Sequence, residues 1–284
     1  MEVAVTGGSG RLGKYVIARL LKEGDTVRSL DVVAPKEPLA GGVRFFQVDL
    51  TDLQAVKEAI QGCDGVMHLG GFPGVNGRPP GMLYANNTVG SYNVLLACSL
   101  LGIKRVSQAS SINALSGLEI EHCDYRYLPV DEKHPSFNQD EYGLSKCVLE
   151  MQADSFARRH PDMTISSLRL HALLEWPVAR ESRLDGPCDP GARGLWGWMY
   201  IWEAARAHVL ALKASYTGHE VFFTTARSSS STLPSIDLAR SAYPDAEIRG
   251  DLSGHQSLYN CYKAERLLGW VHEDDFDKSK AACM

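Results

Sequence analysis

Near its start the chain reads Val3-Ala4-Val5, then Thr6-Gly7-Gly8-Ser9-Gly10-Arg11-Leu12-Gly13, then a segment with Leu12, Val16 and Leu20 at helical spacing. An apolar strand, a G-x-x-G-x-x-G turn and a helix in direct succession leave few folds open. Gly7 permits the tight bend, Gly10 lets the backbone approach a pyrophosphate, and Gly13 lets the helix pack close to the sheet. The amides of the first helical turn, at Arg11 and Leu12, then hold the phosphates with the help of the helix dipole. Asp31 closes the next strand-like run about 20 residues later, where a carboxylate accepts hydrogen bonds from the adenosine ribose hydroxyls. The same charge repels a 2′-phosphate, so NAD is expected in preference to NADP. Arg11 and Arg28 are cations near enough in sequence to soften that preference and keep NADP admissible.

The rest of the first half alternates in the same way. Strand-like runs fall at 26–31, 43–48, 65–69, 105–109 and 164–170, and helical patterns at 51–60, 82–101 and 140–159, with Thr51 expected to cap the first of these helices. Strand and helix alternating at this spacing imply right-handed crossovers and a parallel sheet buried on both faces. The expected fold is α/β, a doubly wound parallel sheet of the Rossmann type with a small C-terminal substrate-binding lobe. The nucleotide domain is expected to take 1–170 and about 198–225, and the lobe about 171–197 and 226–284. Two irregular stretches, 70–81 and 173–197, follow strand ends. Ligands of open α/β sheets sit there, so both are candidate substrate walls.

Bulk properties narrow the partners. The chain has 284 residues and a net charge of −5 with both signs mixed, so no basic face is expected for nucleic acid or an anionic membrane. No apolar run reaches the roughly 20 residues of a spanning helix. The first residues run straight into a strand, which leaves no room for a signal peptide, and a cytoplasmic protein is expected. The seven cysteines are scattered without a CxxC pair, which indicates neither a disulfide framework nor a zinc site, and no metal is expected.

Further marks follow in order: Val48-Asp49-Leu50, Met67-His68-Leu69-Gly70-Gly71, Asn87-Thr88-Val89-Gly90, Ala109-Ser110-Ser111, Tyr142-Gly143-Leu144-Ser145-Lys146, Leu168-Arg169, and Lys263 to Trp270. Each is weak alone. As an ordered set, from Val3 to about Trp270, the sequence resembles the extended short-chain dehydrogenases/reductases, the NAD-dependent epimerase/dehydratase family. The resemblance implies that Asp49 and Leu50 flank the adenine and that Leu69, Gly70 and Gly71 line the cofactor groove. It also implies that Lys146 holds the nicotinamide ribose and that Asn87 helps order the site.

Two Tyr-x-x-x-Lys pairs occur, Tyr142…Lys146 and Tyr259…Lys263. Tyr142 opens a helix after the fifth strand, beneath the expected cofactor site, whereas Tyr259 lies far along the chain and is read as structural. One helical turn places Lys146 on the face of Tyr142. A free phenol titrates near pH 10, and a neighbouring ammonium favours its ionised form. Tyr142 is therefore the expected acid/base, exchanging a proton with a substrate hydroxyl as hydride passes to or from carbon. Ser111 is the expected partner of the reacting oxygen. Ser111 to Gly117 is one residue longer than the family's spacing, which leaves Ser110 open for that part.

The second half departs from the family: His171-Ala172-Leu173-Leu174 and Tyr200-Ile201-Trp202-Glu203 stand where it has other motifs. Arg180, Arg183 and Arg193 suit a carboxylate or phosphate on the substrate. The spacing to Trp198 is similar to the uronate dehydrogenase branch, which oxidises sugar acids. Trp196, Trp198 and Trp202 offer an apolar substrate wall or core, core being favoured for two of the three. Three activities stay open: an NAD(P)-dependent dehydrogenase or reductase of a small molecule, a redox-neutral epimerase with tightly held NAD, and a non-catalytic dinucleotide-binding regulator. The intact Ser111, Tyr142 and Lys146 speak against the regulator, and Ile112 after Ser111 speaks against dehydration. The helices at about 82–101 and 141–159 carry apolar residues on more than one face, which suits a homodimer.

Overall fold

The computed structural model describes residues 1–36, 38, 40–74, 77–116, 124–175 and 190–275. Strand β1 (Glu2–Thr6) leads into α1 (Arg11–Lys22), then β2 (Thr26–Asp31), β3 (Val43–Gln47), α2 (Leu53–Ile60), β4 (Gly65–His68), α3 (Met82–Leu101) and β5 (Arg105–Ser111). After a short β6 (Tyr127–Leu128) come α4 (Glu141–Arg159), β7 (Thr164–Leu170), β8 (Leu173–Leu174), α5 (Pro190–Arg193), β9 (Met199–Tyr200), α6 (Ile201–Leu212) and β10 (Gly218–Thr224). The chain ends with α7 (Ser235–Ala242), β11 (Glu247–Ile248) and α8 (Tyr262–Leu268).

Seven strands form one parallel sheet in the order β10-β7-β5-β4-β1-β2-β3. Its inner strands β1, β4, β5 and β7 are buried on both faces, whereas the edge strand β3 has no fully buried residue. Ala4, Leu30, Val66, Val106 and Ile165 face a core shared with α2, α3 and α4. Val3, Val5, Val27 and Met67 face one shared with α1 and α6. This double burial explains why β1 and β4 carry no alternation of apolar and polar residues. The expected doubly wound sheet is therefore what the chain forms. The direction of winding changes between β1 and β4, and the loops at the carboxyl ends of these two strands meet there.

A further apolar cluster, away from these two cores, holds Ile112, Leu115, Tyr125, Leu128, Leu195, Trp196, Phe223, Leu238, Tyr243 and Tyr259. It joins the segment after β5 to the segment around α5 and to α7. Two strand pairs outside the main sheet, β6 with β11 and β8 with β9, are only two residues long.

Some local expectations are corrected. Asp52, not Thr51, caps α2: its carboxylate accepts from the Gln54 and Ala55 amides at 2.9 and 3.1 Å. Thr51 instead donates its hydroxyl to Asp49 at 2.8 Å. Arg28 is not a cation at the nucleotide end of the sheet. It pairs with Glu2 and donates to the Ala59 and Gln61 carbonyls, at the opposite end of β2 from Asp31. Among the described residues, no helix is long and apolar enough to cross a membrane and no cluster of three His, Cys, Asp or Glu is placed to hold a metal.

Candidate active site

The β1 and β4 loops are joined at close range. Gly7 has φ +68°, and a Cβ there would lie 2.8 Å from Gly70 Cα and N. Thr6 supplies the joint: its hydroxyl accepts from the Leu69 and Gly70 amides at 3.2 and 3.0 Å and meets His68 Nδ1 at 2.9 Å. Burial drives the His68 pKa down to about 3, so the ring is neutral, and the Thr6 oxygen, already taking two amide protons, has its own hydrogen to give to Nδ1. At Gly13 a Cβ would stand 2.3 Å from the Gly7 carbonyl oxygen, so only glycine lets α1 start so close to the turn. The first turn of α1 has no capping side chain and no acidic residue. Its amides border a cavity of about 670 Å³ lined by Gly7, Gly10, Arg11, Leu12 and Leu69. A cradle that excludes Cβ atoms, edged by uncapped amides, fits the diphosphate of a dinucleotide.

Asp31 holds the turn from behind, accepting from the Ser9 amide at 3.1 Å and the Val33 amide at 3.2 Å. Asp49 accepts from the Thr51 amide at 2.9 Å, and Leu50 packs against Gly70 and Gly90. Arg11 reaches away from the turn: Nε lies 3.1 Å from Glu175 and Nη2 donates to the Leu173 carbonyl at 2.6 Å.

The same cavity is lined by Ser110, Ser111, Tyr142 and Lys146. Asp140 caps α4 through the Gly143 amide at 2.7 Å, which fixes where the helix begins and so where Tyr142 points. Lys146, one turn on, donates Nζ to the Ala109 carbonyl at 2.8 Å and lies 5.7 Å from the centre of the Tyr142 ring. Burial pulls the Lys146 ammonium down to about 8, opposed by the Glu150 carboxylate. Burial likewise raises the Tyr142 phenol, opposed by its hydrogen bond with Ser111. Ser111 also accepts from the Asn113 amide at 3.2 Å. Ser110 points elsewhere, donating to Glu150 at 2.6 Å. A phenol, an ammonium and a hydroxyl thus converge beside the diphosphate cradle, where a proton can be exchanged with a bound hydroxyl or carbonyl.

Asn87 does not line the cavity. It clamps the β4 loop, accepting from the Phe72 amide at 2.7 Å and donating to the Phe72 carbonyl at 3.0 Å, and reaches Ser145 Oγ at 3.3 Å. It orders the loop against α4. Arg180 and Arg183 lie outside the described residues. Trp198 is not a cavity wall: it is 6% exposed, stacks edge-on with Tyr200 and His272, and donates Nε1 to the Ser228 carbonyl at 2.9 Å. Trp196 is also buried, whereas Trp202 stacks on Tyr200 with ring centres 4.3 Å apart. Tyr259 is buried and donates its hydroxyl to the Gly194 carbonyl at 3.2 Å. Arg193 does line the cavity, together with His171, Gly194, Phe72 and Asn113. Phe72 and Gly194 fall in the two irregular stretches expected as substrate walls, whereas no periodicity or motif pointed to His171 or Asn113. The Thr6 joint was equally unmarked, since a threonine before a glycine turn carries no signal of its own.

Fold and cavity together define a doubly wound α/β protein whose glycine turn edges a cavity that a dinucleotide fits, with Tyr142 and Lys146 on its wall. Residues 3–174 match the NAD dependent epimerase/dehydratase family, and the chain belongs to that family. Its cofactor is accordingly NAD, which when bound supplies the hydride acceptor or donor. Among relatives, dTDP-6-deoxy-L-talose 4-dehydrogenase (NAD(+)) of Aggregatibacter actinomycetemcomitans is 29% identical over 60% of this chain and 61% of its own length. The match thus spans less than two thirds of that relative. UDP-glucose 4-epimerase of Lacticaseibacillus casei is 23% identical over 98% of this chain and 94% of its own. A glucuronic acid dehydrogenase structure from Chromohalobacter salexigens superposes with a TM-score of 0.70 at 23% identity, over 99% and 88% of the two chains.

Proposed function

We propose that this protein is an NAD-dependent dehydrogenase of a sugar acid, with Tyr142 as acid/base, Ser111 as hydrogen-bond partner of the reacting oxygen and Lys146 as the charge that favours phenolate. The observation that carries the reading is the convergence of these three groups on the cavity that the glycine turn edges. In oxidation, Tyr142 Oη takes the proton of the substrate hydroxyl while the hydrogen on its carbon departs with two electrons. In reduction, Tyr142 returns that proton. Arg193, on the same cavity, is the group to hold the carboxylate, and the glucuronic acid dehydrogenase fold supports the substrate class. Asp31 disfavours the 2′-phosphate of NADP.

The test is to mix purified protein with NAD and D-glucuronate and follow reduction of the nicotinamide. Arg193→Gln should raise KM for D-glucuronate about 10-fold or more, as loss of a hydrogen bond to a charged group costs about 1.5–3 kcal/mol. kcat should change little. An unaltered KM would remove Arg193 from the reading.

A second reading, a redox-neutral epimerase, is favoured by the nearly full-length likeness to a UDP-glucose 4-epimerase. Nucleotide released on denaturation separates the two. An epimerase should carry near-stoichiometric NAD through purification and act on UDP-glucose. A dehydrogenase should release little and gain heat stability from added NAD.

We also infer a homodimer through α3 and α4. Tyr92, Leu100 and Met151 are 46, 60 and 62% exposed, and Val89 and Leu144 lie exposed on the same two helices. Sedimentation should give twice the chain mass, and Tyr92→Glu with Met151→Glu should give the monomer.

A further inference from the structure

The segment 190–197, which gives Arg193 and Gly194 to the cavity wall, has almost no regular structure of its own. The helix α5 is a single turn, and Leu195 and Trp196 follow it at φ 51° and 48°, in the left-handed region that residues with a Cβ rarely adopt. Such a conformation persists only where its surroundings over-determine it. Here three successive carbonyls are each held by a side chain from a different part of the chain. Tyr243, after α7, donates its hydroxyl to Ala192 O at 2.6 Å. Tyr125, before β6, donates to Arg193 O at 2.8 Å. Gly194 O receives Tyr259 Oη at 3.2 Å and His171 Nε2 at 3.0 Å.

The four donors brace one another in two pairs. Tyr125 and Tyr243 meet edge to face with centres 5.0 Å apart, and His171 and Tyr259 meet at 5.9 Å. The Ala172 amide donates to His171 Nδ1 at 2.7 Å, so the ring proton sits on Nε2 and is given to Gly194. Packing is tight enough that a Cβ at Gly197 would stand 2.7 Å from the His171 ring and 2.9 Å from the Tyr259 ring. On the far side, Ser230 donates both its amide and its hydroxyl to the Trp196 carbonyl, at 2.7 and 3.0 Å. Core tyrosines commonly find one acceptor each. Three tyrosines and a histidine on three consecutive carbonyls make a different arrangement, because they hold the stretch that leads into the strained Leu195 and Trp196 and that carries an arginine lining the cavity.

We propose that Tyr125, Tyr243, Tyr259 and His171 are positioning residues that lock the 192–194 backbone and thereby set the place of Arg193, making them determinants of specificity for a carboxylate-bearing substrate. The last clause rests on the sugar-acid reading above; the lock itself does not. Rigid presentation of a charged fork matters because misplacement of a binding group costs affinity out of proportion to the movement. The ring hydroxyls act only through the carbonyls they hold.

The experiment compares Tyr243→Phe and Tyr125→Phe with Tyr216→Phe, all as full chains loaded with NAD. Tyr216 is a control: a half-buried tyrosine whose hydroxyl bonds Ser166 and the Ile165 carbonyl, away from the cavity. Two readouts are taken: hydrogen exchange of the Leu195 and Trp196 amides, and binding of D-glucuronate against neutral D-glucose. Each of the first two variants should speed exchange at these amides about 10-fold and weaken D-glucuronate about 5-fold, the effect of one neutral hydrogen bond. D-glucose and NAD affinities should stay within about twofold, and Tyr216→Phe should change neither readout at this site. Unchanged exchange at Leu195 and Trp196, or equal weakening of D-glucuronate and D-glucose, would overturn the proposal. Failure of the sugar-acid reading shows differently: the wild type, or Arg193→Gln, would not distinguish the two sugars, while the exchange result still decides the lock.

Discussion

Replacing Tyr142 with phenylalanine should lower turnover about 1,000-fold, the middle of the range for loss of a positioned acid/base. Affinity for NAD and the melting temperature should stay close to wild type. The substitution keeps the ring, keeps the Lys146 bond to the Ala109 carbonyl, and removes only Oη with its hydrogen bond to Ser111. A lost buried hydroxyl costs about 1 kcal/mol of stability, far less than the expected loss in rate. The pH profile adds a second check. Burial raises the Tyr142 phenol, so near neutral pH it carries its proton, as reduction needs. Oxidation needs the phenolate, so its rate should climb with pH. It should stop climbing where Lys146, pulled down to about 8, gives up the charge that favours phenolate. A phenylalanine variant that keeps more than a tenth of wild-type turnover would remove Tyr142 from the proposed chemistry. Assay of both directions in one buffer series, with melting followed in parallel, measures all of this.

How far the sequence reveals the molecule depends on what each residue answers to. The glycine turn was legible because two separate constraints, a positive φ at Gly7 and a blocked Cβ at Gly13, admit only glycine. Six of the sheet's seven strands were legible from their β-branched and apolar residues; β10, at the edge beyond β7, was not, because only the second half of GHEVFFT is apolar. The α3 helix ends where Gly102 takes a left-handed turn, a signal that glycine carries by itself. Side-chain partners across the sheet were not legible. Arg28 lies close to Asp31 in sequence, yet the strand carries its side chain to Glu2 at the opposite end. Thr51 and Asp52 are both good caps, and only the path of the backbone selects Asp52. Asn87 was expected to order the site, but its clamp on Phe72 depends on a loop whose course no pattern marks. The segment around α5 is the extreme case. Its shape comes from tyrosines roughly 50 to 70 residues away in the chain, so neither propensity nor period can encode it locally.

Glu150→Ala should cost about 3–5 kcal/mol, the usual result of stripping one partner from a buried ion pair. At this chain length that corresponds to a fall in Tm of roughly 10 °C. Glu150 and Arg169 have side chains only 10 and 8% exposed and form two bonds, Nε to Oε1 at 2.9 Å and Nη2 to Oε2 at 2.8 Å. Ser110 adds a third bond to the same carboxylate at 2.6 Å, which ties α4 to β5 and β7 beneath the candidate active site. The carboxylate also sits one turn beyond Lys146 and supports its ammonium against desolvation. Its removal should therefore move the Lys146 pKa further below about 8 and bring the plateau of the oxidation profile to lower pH. The two effects can be separated. Replacing both partners, Glu150→Leu with Arg169→Met, leaves no buried charge without a counter-charge, and such exchanges are often neutral or stabilising. The double variant should recover most of the lost Tm while its pH profile stays displaced. If the profile returns with the stability, Glu150 acts on Lys146 only through the fold; if it stays shifted, the charge itself tunes the lysine.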